Sequence, residues 1–387
     1  MKRTASYGFH KAFYKALIIP FDHFLRLRFR FTKEKAPELP DHFLLITNHV
    51  TNYDPFIVGV VLKRQMYYVA TEHLFSLGWK TRMIEFLADP IPRPKGGNAA
   101  SAVMEILHRL RDGKSVCLFA EGNTSWDGCT AAFPESTGKM IRTAKVPLVT
   151  FKIEGGYFGY PRWSYGFRKG PVTGHMVRVY QPEELRAMTP EEINAHVAED
   201  IFEDAYARQE QDPRPYKGKA LSKGLEHVLL VCPKCHRIGS FSSTTDGFSC
   251  ACGLTGRYDE YCRLSGEGFS FTTIKAWDAW QKEWIAGLPR EDGTVLASDE
   301  DMVLLQVEGH KRTEIARGTL SMSARQFSLA SLSWSMEELA SLEVRLHGIV
   351  SFSLTDGRYF ELKKAADSDY SGRKYKLLFD AFAGNHN

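Results

Sequence analysis

From residue 42 to about 211, short apolar runs alternate with segments of helical period, and this alternation limits what the chain can become more than any other feature. It is the pattern of an α/β domain. FLLITNH (43–49) reads as a buried strand, DPFIVGVVLKR as a helix from Asp54, and MYYVATE (66–72) as a second strand. NAASAVMEILHRL sets Ala99, Val103, Ile106, Leu107 and Leu110 on one helical face. SVCLFAE (115–121) and VPLVTFKIEG (146–155) read as further strands. TPEE at 189–192 is a capping box with Pro190 at the first helical position, opening a helix through Ile193, Val197 and Ile201 that closes the domain.

With 387 residues, 43% of them hydrophobic, the chain buries a substantial core and is long enough for two or three domains. In residues 1–35, Lys2, Arg3, Lys11, Lys15, Arg26, Arg28, Arg30, Lys33 and Lys35 face only Asp22 and Glu34. Interleaved Phe9, Phe13, Tyr14, Leu17, Phe21, Phe24 and Leu25 predict a basic amphipathic helix, which lies on an anionic membrane surface or packs on the protein's own core. The α/β domain follows over 36–211, and DPRPYKGKALSKG (212–224) has the composition of a linker. A cysteine module occupies 225–262.

Residues 263–387 read as a β-rich module. IVSFSL and RYFELKK are joined there through Thr355-Asp356-Gly357 as a hairpin, and a last helix presents Tyr375, Leu378 and Phe382 to the sheet, a pattern like that of a pleckstrin-homology module. No run approaches the roughly 20 apolar residues of a membrane-spanning helix, and ALIIPF is interrupted by Pro20. No small-residue cleavage site follows it, so the expectation is a cytoplasmic protein, peripheral on the inner face of the cell membrane. A net charge of +4 is too small to argue for nucleic acid, and none is expected as a partner.

TNHVTNYDPF (47–56) places His49 and Asp54 five residues apart at the end of a strand. On a continuous helix they would point roughly 140° apart, so contact requires a turn. VTNY supplies one, and Asp54-Pro55 suits a helix start with Asp54 as cap. A carboxylate there reaches one imidazole nitrogen and leaves the other free as a base. Among 13 histidines the spacing alone is as common as chance, and Asp54 need be only a cap. Its company argues otherwise. FAEGNTS (119–125) puts Glu121 and Gly122 at the carboxyl end of a strand, where open α/β sheets bind ligands. IPRPKGGN (91–98) sets Arg93 and Lys95 ahead of two glycines and a helix start, an anion-binding arrangement.

NHVTNYD resembles the NHxxxxD block of the glycerolipid acyltransferases, typified by 1-acyl-sn-glycerol-3-phosphate acyltransferase, and FAEGNTS resembles their FPEGTRS block. Arg93 falls where the intervening block carries its arginine, and VPLVTFKIEGG is similar to VPIVPVAIxG. The likeness covers roughly residues 40 to 210. It implies a mixed sheet flanked by helices and acyl transfer from acyl-CoA or acyl carrier protein to the free hydroxyl of 1-acyl-sn-glycerol-3-phosphate at the membrane face, giving phosphatidic acid. His49 is then the base, Asp54 orients it, and Arg93, Lys95 and the Glu121–Gly122 turn hold the acceptor. Ala120 and Thr124 stand where the family has proline and arginine, and Thr124 removes a bidentate phosphate donor. Arg142 or Lys139 would compensate, or the acceptor is another lysolipid. From a different class, a non-catalytic zinc-ribbon adaptor that binds lipid or protein also accommodates these departures.

Cys232-Pro-Lys-Cys235 and Cys250-Ala-Cys252-Gly253 offer four thiols in two turns. Such a set closes a tetrahedral zinc site with no open position, so the expected zinc is structural. The second pair is tighter than the usual knuckle, which makes His236 the reserve ligand, while Cys117, Cys129 and Cys262 read as packing residues.

Overall fold

The computed structural model describes residues 6–34, 38–71, 79–93, 99–290, 293–309, 311–365 and 370–383. They form two compact units, one of residues 1–162 with 167–217 and the other of 163–166 with 218–387.

In chain order the first unit comprises α1 (Tyr7–Arg28), β1 (Arg30–Lys33), β2 (Leu44–Thr47), α2 (Asp54–Leu62), β3 (Tyr67–Thr71), α3 (Trp79–Ala88), β4 (Ile91–Arg93), α4 (Ala99–Arg111) and β5 (Val116–Phe119). It continues with α5 (Ser136–Ala144), β6 (Leu148–Glu154), the single turn α6 (Gly156–Gly159), β7 (Pro171–Tyr180), α7 (Pro182–Ala187), α8 (Pro190–Ile201) and α9 (Ala205–Gln211). The sheet order is β1-β7-β6-β2-β5-β3-β4. Every pair is parallel except β6 with β7, so the sheet is mixed, as expected. The central strands β2 and β5 are almost wholly apolar because both faces are covered. Leu44, Ile46, Val116 and Leu148 pack with Ile106 and Leu110 of α4, Ile141 of α5, and Ile193, Val197 and Ile201 of α8. On the other face α2 lies against β6 and β7, and α1 against α2. The capping box forms: Glu192 N donates to Thr189 Oγ1 at 3.2 Å and Thr189 N to Glu192 Oε2 at 2.8 Å.

Helix α1 is capped by Ser6, whose hydroxyl accepts from Phe9 N. Of the two courses open to its apolar stripe, Tyr14, Phe21 and Phe24 take the inward one. Phe21 stacks on Phe56 of α2 with ring centroids 3.8 Å apart, Phe24 meets Tyr53 and Phe167, and the Tyr14 hydroxyl sits over Gly59. The large apolar residues that α1 leaves to solvent are Phe9, Ile19 and Leu27. Among the described residues no helix is long and apolar enough to cross a membrane. Within 212–224 Tyr216 is fully buried and its hydroxyl donates to Pro171 O at 2.8 Å.

The second unit opens with a four-stranded antiparallel sheet of β8 (Phe241–Ser243), β9 (Phe248–Cys250), β10 (Thr255–Tyr258) and β11 (Leu264–Gly266). Helix α10 (Ile274–Ala286), which is not among the elements expected from the sequence, follows. Its buried Trp277, Asp278, Gln281 and Ile285 recur at helical spacing, and Asp278 forms a buried ion pair with Arg373 at 2.8 Å. Then come β12 (Ala297–Glu308), β13 (Lys311–Met322), β14 (Gln326–Leu329), β15 (Leu332–Ser335), β16 (Leu339–Arg345), β17 (Ile349–Leu354), β18 (Tyr359–Lys364) and α11 (Arg373–Phe382). The seven strands form one antiparallel sheet in the order β15-β14-β13-β12-β18-β17-β16. The predicted hairpin joins β17 to β18, with Gly357 at φ +89° supplying the left-handed residue. Tyr375 and Leu378 of α11 are buried in the core of this sheet with Phe327 and Phe352, and Phe382 packs against it.

Candidate active site

Strand β2 ends at Thr47 and delivers Asn48 and His49 beyond the carboxyl edge of the sheet. Asn48, fully buried, ties that end to β6: its Nδ2 donates to Ile153 O and its Oδ1 accepts from Ile153 N, each at 2.8 Å. The chain then turns through residues 50–53. His49 Nδ1 lies 2.7 Å from Asp54 Oδ2, and the same oxygen accepts from Val50 N at 2.7 Å and Thr51 N at 3.0 Å. Asp54 is therefore not the helix cap expected of it. Tyr53 occupies that position, and Asp54 is the first helical residue, its carboxylate drawn back over the preceding turn by three donors. With Nδ1–H donating to a fully buried carboxylate, the ring is held as the tautomer whose Nε2 carries a lone pair. Gly156 permits this turn, since any side chain there would press on Val50 and Thr51.

Strand β5 ends at Phe119, whose ring stacks on His49 at 4.3 Å between centroids. The next loop brings up Glu121. Its Oε1 accepts from His49 N at 2.6 Å and its Oε2 from Ala131 N at 2.7 Å. Burial pushes this carboxyl up to about 8, against the pull of those two N–H groups. With both oxygens taken inside the protein, Glu121 positions the His49 turn. Ser125 N donates to His49 O at 3.0 Å, so the loop grips His49 from a second side. Gly122 has φ +73°, and any side chain there would collide with the Arg93 guanidinium. Arg93, at the end of edge strand β4, thus lies over the loop beside His49.

Thr124 is buried, and its carbonyl accepts from Arg162 Nη1 at 3.0 Å. Arg162 in turn stacks on Trp126 at 4.2 Å. Arg142 donates to Arg186 O at 3.3 Å, and neither it nor Lys139 of the same helix α5 is among the residues that line the cavity beside His49. Lys95 lies outside the described residues. Cys117 is fully buried, and burial together with the charge of Asp54 holds its thiol well above the ordinary range, so it is no nucleophile.

His49, Asn52, Arg93 and Gly122 line one end of a cavity of about 770 Å³. The rest of its wall is almost entirely apolar: Phe13, Leu17 and Phe21 of α1, Phe56 of α2, Val69 of β3, Met83, Ile84 and Leu87 of α3, and Leu118. Asn48, Phe119, Arg162 and the cavity were not legible in the sequence. An asparagine ending an apolar strand just before His49 was the one local signal.

In the second unit Cys232, Cys235, Cys250 and Cys252 converge, with their Sγ atoms all within 4.8 Å of one another. Cys232 Sγ is 3.6 Å from Cys252 Sγ, and Cys235 Sγ is 3.7 Å from Cys250 Sγ. His236 stacks on Trp284.

The family model described as Acyltransferase matches residues 28–154. No curated protein matches the chain. Among solved structures, the chain is similar to the 1-acyl-sn-glycerophosphate (LPA) acyltransferase, PlsC, from Thermotoga maritima, at 20% identity and a TM-score of 0.42, over 53% of this chain and 83% of that one. The family match spans the turn that joins His49 to Asp54, the strand that ends in Arg93 and the loop that carries Glu121, so over residues 28–154 the α/β domain is similar to the acyltransferase family.

Proposed function

We propose that the α/β domain transfers a fatty acyl group from a thioester donor, acyl-CoA or acyl carrier protein, to the hydroxyl of a lysophospholipid, with 1-acyl-sn-glycerol-3-phosphate as acceptor and phosphatidic acid as product. One observation carries this reading: a histidine steadied by a buried carboxylate at 2.7 Å stands at the end of a large apolar cavity. Nε2 takes the proton of the acceptor hydroxyl as its oxygen attacks the thioester carbonyl, and Asp54 stabilises the imidazolium that forms. The tetrahedral intermediate collapses with loss of the thiolate, which takes up the proton that His49 holds, so no covalent enzyme intermediate is needed. The cavity takes the acyl chain. Arg93 is the cation that meets an anionic headgroup. Because Thr124 stands in place of an arginine, a lysolipid with another headgroup is the second reading.

The reading places the protein peripherally on an anionic membrane. Exposed Phe9, Ile19 and Leu27 of α1 and Met83 and Phe86 of α3 would enter the interface, with Lys11, Lys15, Arg26 and Arg28 against the headgroups. The four cysteines would hold a structural zinc. Zinc–sulfur bonds of about 2.3 Å in a tetrahedron set sulfurs about 3.8 Å apart, close to the 3.6 and 3.7 Å found. The seven-stranded sheet with its terminal helix supports a pleckstrin-homology-like reading of the last module.

Lysophospholipid vesicles and acyl-CoA, supplied to wild type and to His49→Ala, test the assignment. Product is expected only with wild type, and retained turnover in the variant removes the base. Failure of wild type with a panel of lysolipids and both donor types would favour a non-catalytic adaptor.

A further inference from the structure

A base alone does not complete acyl transfer. As the acceptor oxygen bonds to the thioester carbonyl carbon and its proton passes to His49 Nε2, the carbonyl π pair moves onto oxygen, and that oxyanion calls for a hydrogen-bond donor. The turn that holds His49 shows which group stands ready. Within residues 49–54, Val50, Thr51 and Asp54 are buried, Asn52 is exposed, and only His49 and Asn52 line the cavity.

The backbone donors around His49 are already committed. His49 N donates to Glu121 Oε1, Val50 N and Thr51 N to Asp54 Oδ2, Tyr53 N to Thr51 Oγ1 at 2.7 Å, and Asp54 N to Thr51 O at 3.3 Å. In the loop of Glu121, Gly122 N donates to Phe119 O at 3.1 Å and Ser125 N to His49 O at 3.0 Å. Polar side chains elsewhere in the cavity wall are committed too. His10 is bonded to the Tyr67 hydroxyl at 3.1 Å and to Phe86 O at 3.0 Å, and Tyr68 donates to Pro55 O at 3.0 Å. The Tyr14 hydroxyl is sealed over Gly59, and Gln65 is buried. Besides His49, this leaves Asn52 and Arg93 among the described polar lining residues. Arg93 carries a full charge over Gly122, which suits an anionic headgroup, whereas Asn52 is neutral and shares one tight turn with the base.

We propose that Asn52 is a second catalytic residue of the transfer, its Nδ2–H donating to the former carbonyl oxygen while His49 Nε2 holds the acceptor's proton. This rests on the acyl-transfer reading. The oxyanion then collapses, the C=O bond re-forms, the C–S bond breaks, and the leaving thiolate takes the proton from His49. A neutral amide bonds the oxyanion more strongly than the ground-state carbonyl, so its contribution shows in kcat and not in substrate binding.

The test assays the full chain with lysophospholipid vesicles and acyl-CoA across pH, comparing wild type with Asn52→Ala, Asn52→Gln and Asn52→Asp. Asn52→Ala is expected to lose about 10²–10³ in kcat, with KM for both substrates within about threefold of wild type. Its melting temperature and the shape of its pH–rate profile are expected to stay those of wild type, because Asn52 is exposed and the pair of His49 with Asp54 is untouched. Asn52→Gln is expected to recover part of the rate. Asn52→Asp, which sets a negative charge beside the oxyanion, is expected to be the slowest. A kcat in Asn52→Ala within about threefold of wild type overturns the assignment. So does a loss accompanied by a displaced pH–rate profile, which would make Asn52 a support of the His49 turn. Wild type that turns over no lysolipid with either donor type overturns the acyl-transfer reading, and the oxyanion role falls with it. Turnover that survives in His49→Ala overturns the base alone, and the kcat of Asn52→Ala still decides the role of Asn52.

Discussion

The turn at 49–54 and the cysteine cluster at 232–252 are both assembled from residues close in sequence, yet they finish in opposite conditions. Around the cluster every sulfur faces the other three, so a bound ion would have a full set of ligands and nothing left over for a substrate. At the turn Asp54 is sealed, but the His49 side chain keeps 19% of its surface and lines a cavity. Four thiols turned on one another suit a brace, whereas an imidazole bonded through one nitrogen at a cavity wall suits a reagent. The contrast separates stability from chemistry along the chain, and experiments can try to break it from either side.

Metal removal gives the largest expected effect. Structural zinc contributes an apparent ~10–16 kcal/mol to folding in small domains. Chelation, or Cys250→Ser, is therefore expected to release one zinc per chain and abolish the cooperative melting of the cysteine module, followed by calorimetry and zinc release. A protein that melts unchanged after exhaustive chelation would remove the brace. Next comes His49→Ala, expected to lower kcat by about 10²–10⁴ with little change in melting temperature. Asp54→Asn is expected to cost less in rate, about 10²-fold, because the base remains but its tautomer is no longer enforced. A pH–rate profile unchanged in that variant would show that Asp54 only shapes the turn.

The smallest effect concerns Glu121. Its folded-state value of about 8 stands above the ordinary 4.5, so the native protein holds a proton that the unfolded chain has already released between those values. The stability it contributes is therefore whole below about pH 4.5 and lost as pH rises through about 8. Glu121→Gln, which cannot titrate, is expected to flatten the fall in melting temperature across that window. An equally steep fall in the variant would assign the slope to other groups.

Much of the site was legible because its parts are local. A strand end, a turn and a helix start lie within ten residues in TNHVTNYDPF, and the meeting of His49 with Asp54 follows from that spacing once a turn is granted. The capping box at Thr189, the hairpin at Gly357 and the four cysteines are equally local. Asp54 shows the limit: Asp-Pro reads as a cap, but three donors on the preceding turn outbid the helix for its carboxylate. Glu121 meets His49 N across 72 residues and Asn48 meets Ile153 across 105, pairings that no window of sequence contains. Helix α10 went unseen because its buried face is made of tryptophan, aspartate and glutamine as well as isoleucine, and the polar members are satisfied only by partners such as Arg373.

The amino-acid sequence by itself determined which residues are the candidates for chemistry and for metal binding, because a general base, its carboxylate and a set of thiol ligands are defined by residue type and short spacing. Only the tertiary structure decided which side of α1 is spent on the protein's own interior, where a largely apolar cavity of about 770 Å³ opens beside His49, and which backbone N–H groups take the Glu121 carboxylate. An apolar stripe or a buried acid states a need for a partner without naming it. The partner is chosen by whatever the fold brings within a few ångströms.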